Sequence, residues 1–374
     1  MARDGPAAGG HSVKHFDDLD LLRGVAALCV VVFHCHTLGI LPAVLPHGYL
    51  AVDFFFALSG FVIAFAYREP LQAGLGLGAF AVRRFVRIYP VALAGVASGA
   101  VVLWLQWLRN PSVNISPSGI GTAALFNLAL LPDPFGGGFV RETLYPCDVV
   151  IWSLFFELAV NLAWAAGVWR APTAGLAALW ACGGAWFALT AAAHGDADMG
   201  VDWPTFSGAL ARVCLGFCAG LLLERFRDRP GPRLASRFPR VPAPLLAAAL
   251  VSTLAVPALG AAKPWWDVVA VAGVFPAILL FGMSRRNPSR VSRAFGDLSY
   301  PLYALHVPVL KTVKFFGVPL RGAFGDGGFT ALCIAATVLV AWGASVAYEA
   351  PVRRWLAAKL RERRAISRSP IQAA

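Results

Sequence analysis

Apolar runs long enough to cross a bilayer recur along this chain from end to end, and they restrict its fold more than any other feature. An α-helix rises about 1.5 Å per residue, so roughly 20 apolar residues span a hydrocarbon core about 30 Å thick. Inside that core no water can satisfy a free N–H or C=O, so each run must close its own hydrogen bonds as a helix. Ten long runs are read, at 19–40, 50–67, 85–108, 150–169, 172–192, 206–224, 242–260, 266–283, 297–318 and 329–350. A shorter one at 121–131 is expected to be re-entrant or interfacial. The chain is 58% hydrophobic and 14% charged. Soluble domains carry about 25% charged residues, so a water-soluble core is excluded. The expected fold is an all-α, polytopic membrane bundle of about ten transmembrane helices.

The net charge of +12 does not imply nucleic acid. The basic residues collect in alternate loops, as the positive-inside rule expects. Arg68, Arg83, Arg84 and Arg87, the arginines of 225–240 and 285–293, and those of the tail share one side. The other side holds Arg109, Arg141, Lys263 and Arg321. Counting 121–131 as a full span would invert everything after it. Both termini are therefore expected in the cytoplasm, with 1–18 an N-terminal segment, 19–350 the transmembrane domain and 351–374 a basic tail lying on the inner leaflet. No cleavable signal peptide is expected, because the first run is span-length. The seven cysteines form no disulfide framework, and the one-turn pair Cys214 and Cys218 has no companions for a metal.

Ionisable groups within spans are expensive and mark functional paths. His34 lies in the first span, eleven residues after Arg23. That spacing is about three helical turns, so both share a face, roughly 16 Å apart. His34 alone in its span titrates near neutral pH, as a general base for a hydroxyl requires. It could equally be a packed histidine bonded to a backbone carbonyl. Asp53, near Ser59 and Gly60, could hold the His34 imidazole in its productive tautomer or simply be an interfacial helix charge. Ser153, Glu157 and Asn161 form one polar stripe, and Ser299, Tyr303 and His306 another. Both stripes suit a cavity lining or interhelical hydrogen bonding. Arg84 and Arg87 stand one turn apart at a span mouth, where paired guanidiniums could clamp phosphates or anchor the helix. Glu349 and Arg353 read as an i,i+4 ion pair. No phosphate-binding glycine loop is present, so a nucleoside triphosphate is not implied.

Five local patterns occur in order: Asp20-Leu-Leu-Arg23 through Phe33-His34; Gly48 through Asp53 to Ser59-Gly60; Arg84-Phe-Val-Arg87-Ile-Tyr-Pro90; Trp152-Ser153-Leu-Phe-Phe-Glu157; and Leu298-Ser299-Tyr300-Pro-Leu-Tyr303-Ala-Leu-His306. Together they resemble the membrane-bound acyltransferase-3 family, which O-acylates surface glycans and other acceptors. The resemblance covers 19 to 354 and implies a ten-helix core, an acyl-CoA donor (acetyl-CoA expected) on the cytoplasmic side and an acceptor on the far side. It implies that His34 is catalytic; from the residues themselves, Asp53 and Glu157 join the expected catalytic set. It implies donor binding by Arg84 and Arg87 and makes Arg23 the basic partner of His34. Arg23 is also expected among the donor-binding residues, and Ser59, Ser153, Tyr303 and His306 are expected from the residues themselves to line a cavity. After Glu157 this chain continues Leu158-Ala-Val-Asn161 where many members have an aromatic pair. The expected function is transfer of an acyl group to a hydroxyl of an extracytoplasmic glycan or glycolipid, in a bacterial inner membrane, without a metal. Whether His34 acts as base or carries the acyl group stays open. The rival reading is a transporter or exporter of an anionic solute.

Overall fold

The computed structural model describes residues 16–111, 116–135, 142–227, 241–257, 259–283 and 289–368. Arg141 and the arginines within 228–240 and 284–288, used above for orientation, lie outside them. The described residues form helices and no strand, apart from one isolated bridge between Thr143 and Asp202.

In chain order the helices are α1 (Asp17–Thr37), α2 (Ala51–Gln72), α3 (Leu77–Arg109), α4 (Pro117–Leu128), α5 (Ile151–Ala166), α6 (Thr173–His194) and α7 (Phe206–Arg227). There follow α8 (Ala243–Leu254), α9 (Lys263–Val269) and α10 (Phe275–Gly282), the last two joined by a π turn at Ala270–Val274. The set closes with α11 (Arg290–Phe316), α12 (Val318–Ala344) and α13 (Ala350–Arg368). Each of the ten expected spans has a helical counterpart, α9 and α10 counting as one. Seven segments are long and apolar enough by themselves to cross a membrane. The other three are α5 and α8, which are short, and α11, which carries polar and charged side chains through its length.

Three boundaries differ from expectation. The 121–131 piece is helix α4, started by Ser116, whose hydroxyl accepts the Gly119 N–H at 3.0 Å. The last span begins at Val318 rather than 329, with a break at Gly325, where φ is 66°. The basic tail is helical, and a π turn at Ser345–Glu349 carries α12 directly into it as α13.

The bundle exposes large apolar side chains on its outside, and its mainly apolar interior also encloses polar and charged groups. Leu189, Leu339 and Trp342 are exposed, whereas Asp53, Asn161, Arg212 and His306 are buried. In lipid, tail chains are as apolar as leucine, so close packing and interhelical polar contacts drive association. Helices α2 and α7 meet through glycines: a Cβ on Gly60 would strike the Phe217 carbonyl, and one on Gly220 the Ala57 carbonyl. That approach joins Asp53 to Arg212. Arg212 Nη2 donates to Asp53 Oδ2 at 2.7 Å and to Tyr49 O at 2.9 Å, and Nη1 donates to Met199 O at 2.6 Å. Helices α1 and α11 close in the same way, with Gly24 against Phe295 and Gly296 against Asp20.

Truncating one member of a buried ion pair strands the other charge, at a cost of about 3–5 kcal/mol. Arg212→Ala should therefore lower the unfolding temperature of detergent-solubilised protein sharply, and Asp53→Leu with Arg212→Met should recover most of it. Near-wild-type stability for Arg212→Ala would show that the pair does not hold α2 to α7.

Candidate functional site

Arg23, on α1, sits where α11 begins. Its Nε donates to Ser299 Oγ at 2.9 Å, its Nη2 donates to Gly296 O at 2.7 Å, and Asp20 lies 3.1 Å away. Arg84 and Arg87, one turn apart on α3, point the same way. Arg84 Nη2 donates to Glu157 Oε1 at 2.9 Å, and Ser59 Oγ donates to that same oxygen at 2.9 Å. Arg87 Nη1 donates to Glu349 Oε1 at 2.9 Å, and its guanidinium also lies over the Tyr300 ring. Glu349 binds Arg353 too, at 3.1 Å, the i,i+4 pair read from the sequence.

These residues enclose a cavity of about 170 Å³ that Arg23, Arg84, Arg87, Ser59, Glu157 and Ser299 share. The sequence reading placed them on five separate spans, and the fold collects them. Each guanidinium has a carboxylate partner, which balances the charge of three partly buried cations without a ligand. Arg84 Nε–H is buried without a hydrogen-bond partner among the described residues, so a donor remains for an anion in the cavity.

The cavity's upper wall is Val52 and Tyr303, and both also line a second, smaller cavity that contains His34. Tyr303 Oη and Ser153 Oγ are 2.6 Å apart across this partition. Beyond it, His34 meets His306, whose Nε2 lies 3.1 Å from His34 Nδ1.

Hydrogen-bond partners assign the tautomers. His306 Nδ1 faces two carbonyls, Tyr303 O at 2.6 Å and Leu302 O at 3.2 Å, so it carries the proton. His306 Nε2 is then an acceptor. His34 Nδ1 faces that acceptor and Val30 O at 3.0 Å, so it too carries its proton. His34 Nε2 is left as an unprotonated lone pair. A neutral imidazole held in one tautomer by its other nitrogen is what a general base needs.

The expected orienting role of Asp53 is therefore not fulfilled. Its carboxylate is saturated by Arg212, and His306 occupies the position toward His34 Nδ1 that Asp53 was expected to fill. Glu157 lines the arginine cavity and pairs with Arg84; it does not line the His34 cavity. Asn161, the last member of its stripe, is buried and lines neither cavity, and its side-chain amide has no hydrogen-bond partner among the described residues.

Sequence reasoning gave Arg212 no role and did not single out Asp198, which also line the His34 cavity. Arg212 left a signal, an arginine deep in an apolar run. Its partner lies 159 residues away and could not be read locally.

Residues 16–346 match the acyltransferase-3 family, whose shared unit is described as an acyltransferase domain. The chain belongs to that family and is an integral membrane acyltransferase. It is also similar to "Protein 2 in picA locus" of Rhizobium radiobacter, at 40% identity over 164 residues, which covers 41% of this chain and 82% of that protein. No solved structure matches.

Proposed function

We propose that this chain is an O-acyltransferase that takes an acyl group, acetyl by expectation, from acyl-CoA and passes it to a hydroxyl of a glycan or glycolipid on the opposite side of the membrane. The observation that carries this reading is the pair of cavities with a common wall. One is ringed by Arg23, Arg84 and Arg87, the other holds His34, and Val52 and Tyr303 belong to both.

The charged head of coenzyme A suits the arginine cavity, because guanidinium and phosphate pair through charge-assisted, bidentate hydrogen bonds. The thioester would extend past Tyr303 toward His34. His34 Nε2 would take the proton of the acceptor hydroxyl as its oxygen bonds to the thioester carbon. The carbon–sulfur bond then breaks, and the departing thiolate takes the proton back from His34. His306 is a positioning residue in this scheme, since it acts through the ring of His34. The chemistry needs no metal ion.

Sidedness follows from charge. The ends of α2 and α7 that carry Arg68, Arg225 and Arg227, the first turns of α3, and α13 lie at the basic end of the bundle. The positive-inside rule assigns that end, and both termini, to the cytoplasm, and the family resemblance suggests a bacterial inner membrane.

Acyl transfer by His34→Ala tests the reading directly. Base catalysis contributes about 10²–10⁴ in rate, so transfer should fall at least about 100-fold while the protein still accumulates and binds coenzyme A. Near-normal transfer would remove His34 from the chemistry. His306→Ala should produce a smaller loss.

Arg84→Ala and Arg87→Ala should each weaken acyl-CoA binding by about 1.5–3 kcal/mol, the range for a charge-assisted hydrogen bond. Arg83, on the same helix but outside the cavity lining, is the control for bulk charge. Equal losses at all three positions would assign the arginines to membrane anchoring instead.

Single cysteines in a background without the native ones should fix the sides. At the exposed positions Ser116 and Ala193, an impermeant thiol reagent should react in intact cells. At Ala73 and Ala358, also exposed, it should react only after permeabilisation. The reverse pattern would exchange the donor and acceptor sides.

A further inference from the structure

The His34 cavity opens toward the loop between α6 and α7, and that loop is held unusually firmly. The Ala197 N–H donates to Asp267 Oδ2 at 2.9 Å, and Lys263 Nζ donates to Asp196 Oδ2 at 2.6 Å. Met199 O accepts from Arg212 at 2.6 Å, and Val201 O accepts from the Leu144 N–H at 2.9 Å. Gly200 takes a φ of 112°, open to glycine, and a Cβ there would run into the Trp152 ring, so the loop lies flat on an indole that also lines the cavity. Burial pushes the Asp196 carboxyl up, but its bonds to Lys263 and to the Asp198 N–H prevail and hold it below the usual carboxylate range.

One polar side chain of this loop is left over. Asp196, Asp202, Trp203 and Thr205 all make side-chain hydrogen bonds, whereas the Asp198 carboxylate makes none among the described residues. It is exposed, and it lines the same cavity as His34. Two other polar groups there are already engaged: Arg212 by Asp53, Met199 and Tyr49, and the Tyr49 hydroxyl by Asp267 at 2.7 Å. A carboxylate with no hydrogen-bond partner among the described residues, lining the same cavity as a base with a free lone pair, has the form of a two-point binding site. The cavity itself has a volume of about 30 Å³. That admits a water or two, or a hydroxymethyl arm, and excludes a sugar ring.

We propose that Asp198 is an acceptor-binding residue: its carboxylate accepts a hydrogen bond from a second hydroxyl of the acceptor while a primary hydroxyl on a narrow arm reaches His34 Nε2. The acceptor class is then a neutral polyol end that offers a primary alcohol, its bulk remaining above the cavity at the level of the loop. This rests on the transferase reading given above.

The test uses membranes of the host lacking its own copy, with wild type, Asp198→Ala, Asp198→Asn or Asp198→Glu supplied, and [¹⁴C]acetyl-CoA as probe. Base-labile label in the membrane and polymer fractions reports transfer, and equilibrium dialysis reports acetyl-CoA affinity. Asp198→Ala should lower transfer about tenfold, as expected for loss of one hydrogen bond to a charged group, with acetyl-CoA affinity unchanged. Asp198→Asn keeps an acceptor oxygen, so it should retain clearly more transfer than Asp198→Ala. Spectroscopy of the purified product should place the acyl group on a primary oxygen. Unchanged transfer in Asp198→Ala overturns the assignment, as does a matching fall in acetyl-CoA affinity. Asn no better than Ala overturns the neutral hydroxyl in favour of a cationic acceptor, and a secondary ester overturns the narrow arm. If wild-type membranes transfer no label, the transferase reading itself fails and this inference falls with it; activity in wild type with unchanged Asp198 variants removes Asp198 alone.

Discussion

The ion pair between Asp53 and Arg212 fixes the centre of this bundle. Neither side chain is accessible, and the guanidinium reaches an oxygen of α2, the carbonyl of Tyr49 before it and the carbonyl of Met199 in the α6–α7 loop. A lone ion of either sign could not stay in such surroundings, so each holds the other's helix in register. Glycines at 60 and 220 let the two backbones approach closely enough for the bond to form. The outer wall of the His34 cavity is assembled on this contact, since Arg212, Tyr49 and the loop it binds all belong to that wall.

The polar groups divide into two kinds of site. Toward the basic end, arginines and carboxylates alternate around a cavity that can take up a multiply charged anion. Toward the other end, two neutral imidazoles form a chain that starts at backbone carbonyls and ends at a free lone pair. Tyr303 and Val52 separate the two. This division suits a reaction with one strongly hydrated partner and one neutral partner, because the costs of desolvation are kept apart.

Much of this was legible in the sequence, for a definite reason. Ionisable residues are so costly in lipid that His34, Arg23, Arg84, Arg87 and Glu157 stand out against apolar surroundings without any knowledge of their neighbours. The helical period also placed Ser299, Tyr303 and His306 on one face, and the fold joins that face to Arg23, Ser153 and His34 in turn. Partnership was not legible. Asp53 was open between orienting His34 and being an interfacial helix charge, whereas its partner is on α7 and the group at His34 Nδ1 is on α11. Local spacing reports which faces are polar, and only the packing of helices remote in sequence decides which polar faces meet. Asp198 was harder still, since an acidic residue in a polar loop carries no desolvation signal.

Glu349 holds Arg87 at 2.9 Å and Arg353 at 3.1 Å through the same oxygen. A carboxylate with two cations can release one and remain neutralised by the other. Glu157 differs, because beside Arg84 it holds only the Ser59 hydroxyl, which hydrogen-bonds but carries no charge. An anion that draws on Arg87 would leave Glu349 paired with Arg353, whereas one that draws on Arg84 would meet the full cost of opening a partly buried pair. The two sides of the cavity are therefore unequal, and the Arg87 side is the one that can exchange partners without isolating a charge.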